Sequence, residues 1–137
     1  MDTIRAVSQT YVSIIGAAIG WFWGSGSPVL YVLCAFMFID YISGVMIAIV
    51  SKGLSSTIGA RGIFKKILIL AFVGIGHVID AYVIGSGQTF QTAIIFFYLS
   101  NEGISIVENA TTLGLPVPAK LKNLLKQIDN PENSNDK

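Results

Sequence analysis

The chain has 137 residues, of which 53% are hydrophobic and 12% are charged, and its formal net charge is +1. Soluble domains carry roughly a quarter charged residues, so this composition excludes an ordinary soluble enzyme and predicts an all-α integral membrane protein. A net charge so close to zero gives no sign of a nucleic-acid partner. The single cysteine, Cys34, excludes an internal disulfide framework.

The first apolar segment, residues 4–23, is long enough to cross a membrane, and polar residues interrupt it only near its start. Trp21 and Trp23 at its far end are typical of a membrane interface. Gly16 and Gly20 lie one helical turn apart and predict a face for close helix packing. An interfacial amphipathic helix and a cleaved signal peptide are the alternatives for this segment.

The second segment, residues 28–50, is the most regular apolar run in the chain. At 1.5 Å per residue, a helix of this length crosses a hydrocarbon core of about 30 Å. It contains one carboxylate, Asp40, and one hydroxyl, Ser43, followed by Gly44, which is a candidate for helix packing. An ionised carboxylate near the middle of a membrane helix costs roughly 2.5–3.5 kcal/mol. Asp40 is therefore expected to face other helices or water rather than lipid.

Two further membrane helices are predicted at residues 65–84 and 89–109. The third carries His77 and Asp80, which are three residues apart and so share a face. The fourth is apolar in its first half and polar in its second. The polar candidates of the fourth helix are Asn101, Glu102, Ser105 and Glu108. With Asp40, Ser43, His77 and Asp80, they are the predicted pore-lining or helix-interface residues, because ionisable groups at membrane depth must be paired or wetted.

The distribution of positive charge predicts how the helices cross. The connections after residues 23 and 84 are uncharged turns, whereas basic residues follow the second and fourth helices. Four crossings place every basic region on the cytoplasmic side, with both termini inside. Three crossings, with the N-terminus outside, are the alternative. The predicted basic residues of the cytoplasmic surface are Lys52, Arg61, Lys65, Lys66, Lys120, Lys122 and Lys126.

The chain changes character after the membrane domain, residues 1–117. Leucine and isoleucine recur at helical spacing over residues 118–128, with lysines on the other side. This pattern predicts a short basic amphipathic helix on the cytoplasmic membrane surface. The last residues, 129–137, are polar and are predicted to be disordered.

The sequence contains no pattern that predicts a catalytic site, a cofactor-binding loop or a metal site. Histidine and cysteine occur once each, so neither a metal-ligand cluster nor a nucleophilic triad can be assembled by spacing. The polar groups at membrane depth are instead typical of a protein that forms a pore from several copies of itself.

Four motifs, in this order and spacing, resemble the phage holin family that includes the toxin-secretion holins of clostridia. They are DYISGV at 40–45, KGLSS at 52–56 leading to GARGI at 59–63 and to Lys65 and Lys66, NEGISIVEN at 101–109, and LGLPVP at 113–118. The resemblance implies a small protein of the bacterial cytoplasmic membrane that accumulates and then oligomerises into lesions. These lesions depolarise the membrane and release an endolysin, or a toxin that lacks a signal sequence. An antiholin is a further partner that the resemblance implies.

Two other classes remain open at the level of sequence. A small proton- or ion-coupled transporter or channel subunit also places Asp, His and Glu near the membrane midplane, although no duplicated half with broken helices is visible. A membrane accessory or structural subunit is the other alternative, with its basic segments facing a cytoplasmic partner.

Four crossings predict a labelling pattern for single cysteines in a Cys34→Ser background. Cysteine at Ser25 or Ser86 should react with a membrane-impermeant reagent from outside intact cells, and cysteine at Ser56 or Ser134 should not, because the uncharged turns are translocated. Labelling of Ser134→Cys from outside would contradict this arrangement. Protection at Ser25 with labelling of the N-terminus would support three crossings.

Overall fold

A computed structural model of the protein describes residues 1–53, 55–121, 123 and 124. These residues form four helices, which are α1 (Asp2–Trp23), α2 (Pro28–Val50), α3 (Ser56–Ile79) and α4 (Thr89–Thr112). A π-helical turn, Asp80–Ile84, extends α3 and is closed by a hydrogen bond of 2.9 Å from the Gly85 N–H to the Asp80 carbonyl. The described residues contain no strand, so the predicted all-α class is confirmed.

Within the part of the chain that the structure describes, three helical stretches are long and apolar enough to cross a membrane. They are Pro28–Val50, Ser56–Ile84 and Thr89–Thr112. Large hydrophobic side chains are exposed along all three, as contact with lipid requires. α1 is not among them, because polar residues in its first half lower its hydropathy. Of the two counts that the sequence left open, the hydropathy of the helices favours three spans.

The bounds of α2 are those predicted, whereas α3 begins at Ser56 instead of residue 65. Ser55 caps α3, since its hydroxyl oxygen accepts a hydrogen bond of 3.2 Å from the Ile58 N–H. The helix then continues through Gly59 and Gly62, which leave room for the ring of Tyr41 on α2. Most of the predicted basic loop is therefore the first turns of a membrane helix.

The three spanning helices pack around one apolar core. α2 and α4 run parallel and make the most extensive contact, and α3 runs antiparallel to both. The core consists of Leu33 and Met37 on α2, Ile69 and Val73 on α3, and Ile95 on α4, each at most 5% exposed. We call the end of this bundle with Lys52 and Arg61 the basic end, and the end with the uncharged turns before α2 and α4 the neutral end.

Glycines allow two close approaches on α3. At Gly76 a Cβ atom would lie 3.0 Å from the backbone Cα of Gln91 on α4, so only glycine permits this helix separation. At Gly74 a Cβ would overlap the Phe22 ring, which therefore rests directly on the α3 backbone. The described side chains of α1 before Gly20 are all exposed. Only the last turn of α1 is thus fastened to the bundle.

The chain after α4 is described in part. Residues 119–121, 123 and 124 are helical, and they fall inside the predicted amphipathic helix 118–128. Lys122 and residues 125–137, which include Lys126 and the predicted disordered segment, lie outside the described residues. The amphipathic helix and the polar tail therefore remain predictions.

The Gly76 contact predicts a specific loss of stability. Gly76→Ala should lower the free energy of unfolding by about 1–3 kcal/mol, because the backbone of Gln91 cannot yield to the added methyl group. The matched control is Gly16→Ala, where no atom lies within 4 Å and alanine is the better helix former by about 1 kcal/mol. Unfolding of the purified protein in micelles, followed by circular dichroism, measures both. Equal stability of the two variants would contradict the close approach.

Candidate functional site

A lysine and two carboxylates meet between the three spanning helices. The Lys66 Nζ atom donates to Asp40 Oδ2 at 2.7 Å and to Glu102 Oε2 at 2.5 Å. The side chains of Lys66, Asp40 and Glu102 are 15%, 17% and 3% exposed. Lys66 lies ten residues after the start of α3, which is about 15 Å along the helix. We call these three residues the Lys66 cluster.

Two polar side chains complete the surroundings of Asp40. Asn109 on α4 donates from Nδ2 to Asp40 Oδ1 at 3.1 Å and to Ser43 Oγ at 2.8 Å. Ser43 in turn donates to the Asp40 carbonyl oxygen at 3.0 Å. Both carboxylate oxygens of Asp40 therefore accept a hydrogen bond. This satisfies the requirement that a charged group at membrane depth be paired and bonded.

The Lys66 cluster holds α2, α3 and α4 in one register. Two unit charges 4 Å apart attract by ~4 kcal/mol at an effective dielectric constant of about 20. Most of that gain offsets the cost of removing the ions from water, so such a cluster adds little net stability. Leaving any one of the charges without its partner is costly, however. The cluster therefore acts by making other arrangements of the three helices unfavourable.

A crevice of about 240 Å³ opens beside the cluster on the side of the basic end. Asp40 and Lys66 lie at its inner end with Ser105 and Asn109 of α4. Its other walls come from α2 and from the first turns of α3. These wall residues are Tyr41, Gly44, Val45, Ala48, Ile58, Gly59, Gly62 and Lys65. The crevice exists because the small residues of α2 and α3 leave open space between the two helices near the basic end.

The other polar candidates of α4 are divided between this site and the surface. Ser105 lines the crevice, Asn101 is half-buried and Glu108 is exposed. Gly44 lies opposite Asn109, since a Cβ there would be 4.0 Å from Nδ2. The roles predicted for these residues in a pore or interface remain predictions.

The basic residues predicted for the membrane surface separate into two groups. Lys52, Arg61, Lys65 and Lys120 are exposed. Lys66 is not at the surface, because α3 starts earlier than predicted and carries this side chain three turns into the bundle. Lys66 is the cation that pairs with Asp40 of α2 and Glu102 of α4.

Asp80 lies at the neutral end, far along α3 from the Lys66 cluster. It is 1% exposed, and its two carboxylate oxygens accept from the N–H groups of Phe90 at 3.0 Å and Gln91 at 2.8 Å. These N–H groups belong to the first turn of α4 and have no partner within the helix. Asp80 therefore caps α4 across the turn, and its negative charge lies at the positive end of that helix.

The end of α1 is fastened at the same place. The Gln91 side chain donates from Nε2 to the Trp23 carbonyl at 2.8 Å, and Trp23 Nε1 donates to the Leu70 carbonyl at 2.8 Å. His77 lies against Gly24, whose φ of 79° and missing Cβ allow the approach. The His77 Nδ1 atom is buried without a hydrogen-bond partner among the described residues. His77 and Asp80 thus belong to a different polar group from Asp40 and Glu102.

Gly16 and Gly20 are the predicted packing residues of α1. A Cβ atom added at either glycine would meet no described atom within 4 Å. The face that they form is therefore open within one protomer. Packing of another helix against these two glycines remains a prediction.

Three residues at or beside the Lys66 cluster were not predicted from the sequence to lie there. They are Lys66 itself as the central cation, Asn109 and Tyr41. Asn109 follows Glu102 by seven residues, so helical periodicity places both on one face of α4. This spacing is visible in the sequence, so the position of Asn109 beside Glu102 could have been predicted. Tyr41 and Lys66 depend on the early start of α3, for which the Ser55 cap was the available signal.

The fold and the site together define a multi-pass helical membrane protein with a paired charge cluster inside its bundle. The profile of the bacteriophage holin family matches residues 17–130. The chain belongs to this family. It is 43% identical to the uncharacterized 14.9 kDa protein in the nagH 3′ region of Clostridium perfringens, over 95% of this chain and 98% of that one.

Two further relatives come from other bacteria. The chain is 45% identical to the uncharacterized protein Lin0175 of Listeria innocua, over 83% of this chain and 81% of the relative. It is 34% identical to the uncharacterized protein YqxH of Bacillus subtilis, over 77% and 74%. No solved structure matches the chain.

The Lys66 cluster predicts an asymmetric response to charge removal. Lys66→Met should lower the free energy of unfolding by about 3–5 kcal/mol, because the Asp40 and Glu102 side chains lose the cation that pairs with them. Lys65→Met changes the exposed neighbouring lysine and should cost less than about 1 kcal/mol. Unfolding in micelles measures both.

A compensating variant tests the same cause. Adding Asp40→Asn and Glu102→Gln to Lys66→Met removes every charge of the cluster and should recover most of the lost stability. Equal losses in the single and triple variants would show that packing of the Lys66 stem, and not its charge, matters.

Proposed function

We propose that this protein is a holin, which oligomerises in the bacterial cytoplasmic membrane and forms lesions that depolarise it. The released cargo is an endolysin, in host lysis, or a toxin that lacks a signal sequence. Membership of the bacteriophage holin family supports this proposal, as do the three helices able to span a membrane. The observation that carries it is the Lys66 cluster, which holds charged side chains at membrane depth inside a single protomer.

The described residues of a single protomer leave no room for a pore between α2, α3 and α4. Between the Lys66 cluster and the neutral end, the space among α2, α3 and α4 is filled by buried apolar side chains, of which Leu33, Val73 and Ile95 are at most 1% exposed. Protein interiors of this kind are close-packed and leave no water path. Permeability must therefore arise between protomers, which requires an oligomer.

The Lys66 cluster supplies a reason for a harmless form that accumulates first. In the closed protomer Lys66 contacts both carboxylates between the helices, and large apolar side chains face lipid. A water-lined lesion offers the same side chains an alternative partner, which is water. Two arrangements in which these side chains have partners, one closed and one assembled, give the bistable behaviour that an abrupt transition needs.

The transporter and accessory alternatives predict different behaviour of the membrane. A proton- or ion-coupled transporter needs access to its site from both sides in turn, and the apolar core closes the side toward the neutral end. An accessory subunit has no effect on permeability of its own. Expression in bacteria, with growth and membrane potential recorded, separates the three. A delayed and sudden loss of potential indicates a holin, graded pH-dependent flux a transporter, and no effect an accessory protein.

Variants of Asp40 test whether the cluster sets the time of that loss. Asp40→Leu removes the acceptor of both Lys66 and Asn109, so the closed protomer should be weakened and the potential should collapse earlier after induction. Asp40→Asn keeps a hydrogen-bonding oxygen and should act between Asp40→Leu and the unchanged protein, since interhelical hydrogen bonds contribute about 0.6–2 kcal/mol.

The control for Asp40 is Cys34→Ser, an exposed position on the same helix that should leave the timing unchanged. Membrane abundance is matched by immunoblot in every strain. Unchanged timing in Asp40→Leu at equal abundance would show that this carboxylate is a tolerated burial with no part in triggering.

A further inference from the structure

The Lys66 cluster carries one more negative charge than positive charge. Asp40 and Glu102 both contact the same ammonium group, so that one cation faces two carboxylates. Other ionisable groups near the cluster are Tyr41 on α2 and Lys65 on α3, which line the crevice. Lys65 is exposed and forms no ion pair with any carboxylate of the described residues. The cluster is therefore left with an unbalanced charge in a largely buried position.

Two carboxylates that share one site do not both ionise readily. When they are held close together, one of them keeps its proton, because the second negative charge is repelled by the first. Here the ammonium group of Lys66 balances the charge of one carboxylate and leaves the other without a counter-charge. Asp80 is a buried carboxylate with different partners, since its two oxygens accept hydrogen bonds from the Phe90 and Gln91 N–H groups.

The crevice leads from this site toward one end of the bundle. Its volume of about 240 Å³ is well above the roughly 10–15 Å³ that one water molecule needs. It reaches Asp40 and Lys66, while Glu102 lies behind them at 3% exposure. On the opposite side, Met37, Ile69 and the rest of the apolar core separate the cluster from the neutral end. The crevice therefore leaves the cluster open toward the basic end, whereas the apolar core closes it toward the neutral end.

We propose that the Lys66 cluster is a binding site for one proton, which Asp40 and Glu102 share and which enters from the basic end through the crevice. A hydronium ion in the crevice transfers its proton to a carboxylate oxygen: one O–H bond of the hydronium breaks, an O–H bond forms on the carboxyl group, a water remains, and the cluster becomes neutral. Release reverses this step and returns the proton to the same water. The proposal does not depend on holin activity.

Proton binding makes the closed protomer sensitive to pH in both directions. Loss of the proton leaves an excess anion beside Glu102, and gain of a second proton leaves Lys66 without a charged partner. The closed arrangement should therefore be most stable at an intermediate pH and weaken on either side. Only the charges of α2, α3 and α4 enter this balance, because α1 does not reach the cluster.

Infrared spectroscopy of the purified full-length protein in phospholipid vesicles tests the site directly. The carbonyl stretch of a protonated carboxylic acid should be present at neutral pH and should shift in ²H₂O. It should disappear in Asp40→Asn and, separately, in Glu102→Gln, because the remaining carboxylate then pairs with Lys66 and ionises. The two near-isosteric variants are independent, so failure of one to fold leaves the other as a test.

Two outcomes would overturn the proton site. One is the absence of any protonated carboxylic acid in the unchanged protein from mildly acidic to neutral pH. The other is a carbonyl stretch that persists in both cluster variants and is lost in Asp80→Asn, which would assign the proton to Asp80.

A matched pair of substitutions on α2 tests whether the proton passes through the crevice. Ala48→Leu fills the crevice and should slow the ²H₂O shift several-fold, whereas Ala35→Leu adds the same side chain at an exposed position outside the crevice and should not. Equal exchange rates in the two variants would show that the proton does not pass through the crevice.

Discussion

A charged side chain cannot remain alone in hydrocarbon, and this constraint fixes the arrangement of the bundle. Lys66 is carried three turns into the membrane by α3, so it needs anions at the same depth on its neighbours. Asp40 on α2 and Glu102 on α4 supply them. A shift of either helix by one turn would separate the charges by about 5.4 Å. The apolar core can tolerate small slides between helices, whereas the Lys66 cluster cannot.

The neutral end is held by a different kind of interaction. There the partners of Asp80 and Gln91 are backbone groups, which lie at the helix ends where hydrogen bonds are missing. The close contact at Gly76 brings α3 and α4 near enough for these bonds to form. The protomer is therefore fastened by charges near the basic end and by caps at the neutral end, with the apolar core between them.

The sequence was sufficient for the class of protein, for the bounds of α2 and for the expectation that Asp40 and Glu102 lie away from lipid, because an uninterrupted apolar run and a rare charge within it are local signals. It was insufficient for the start of α3. Gly59 and Gly62 resemble loop residues when α3 is considered alone, and they become helical positions because Tyr41 fills the space beside them. The pairing of Lys66 could not be predicted for a related reason, since it depends on the register of three helices at once.

The attachment of α1 by its last turn separates the chain into two parts with unequal freedom to change. Phe22 and Trp23 are tied to α3, but the described side chains before Gly20 are exposed. Substitutions in those first turns disturb no packing within the described protomer, and the match to the family profile begins at residue 17, close to where the attachment starts. The N-terminal turns are consequently the place where a fluorescent protein can be fused without altering the bundle.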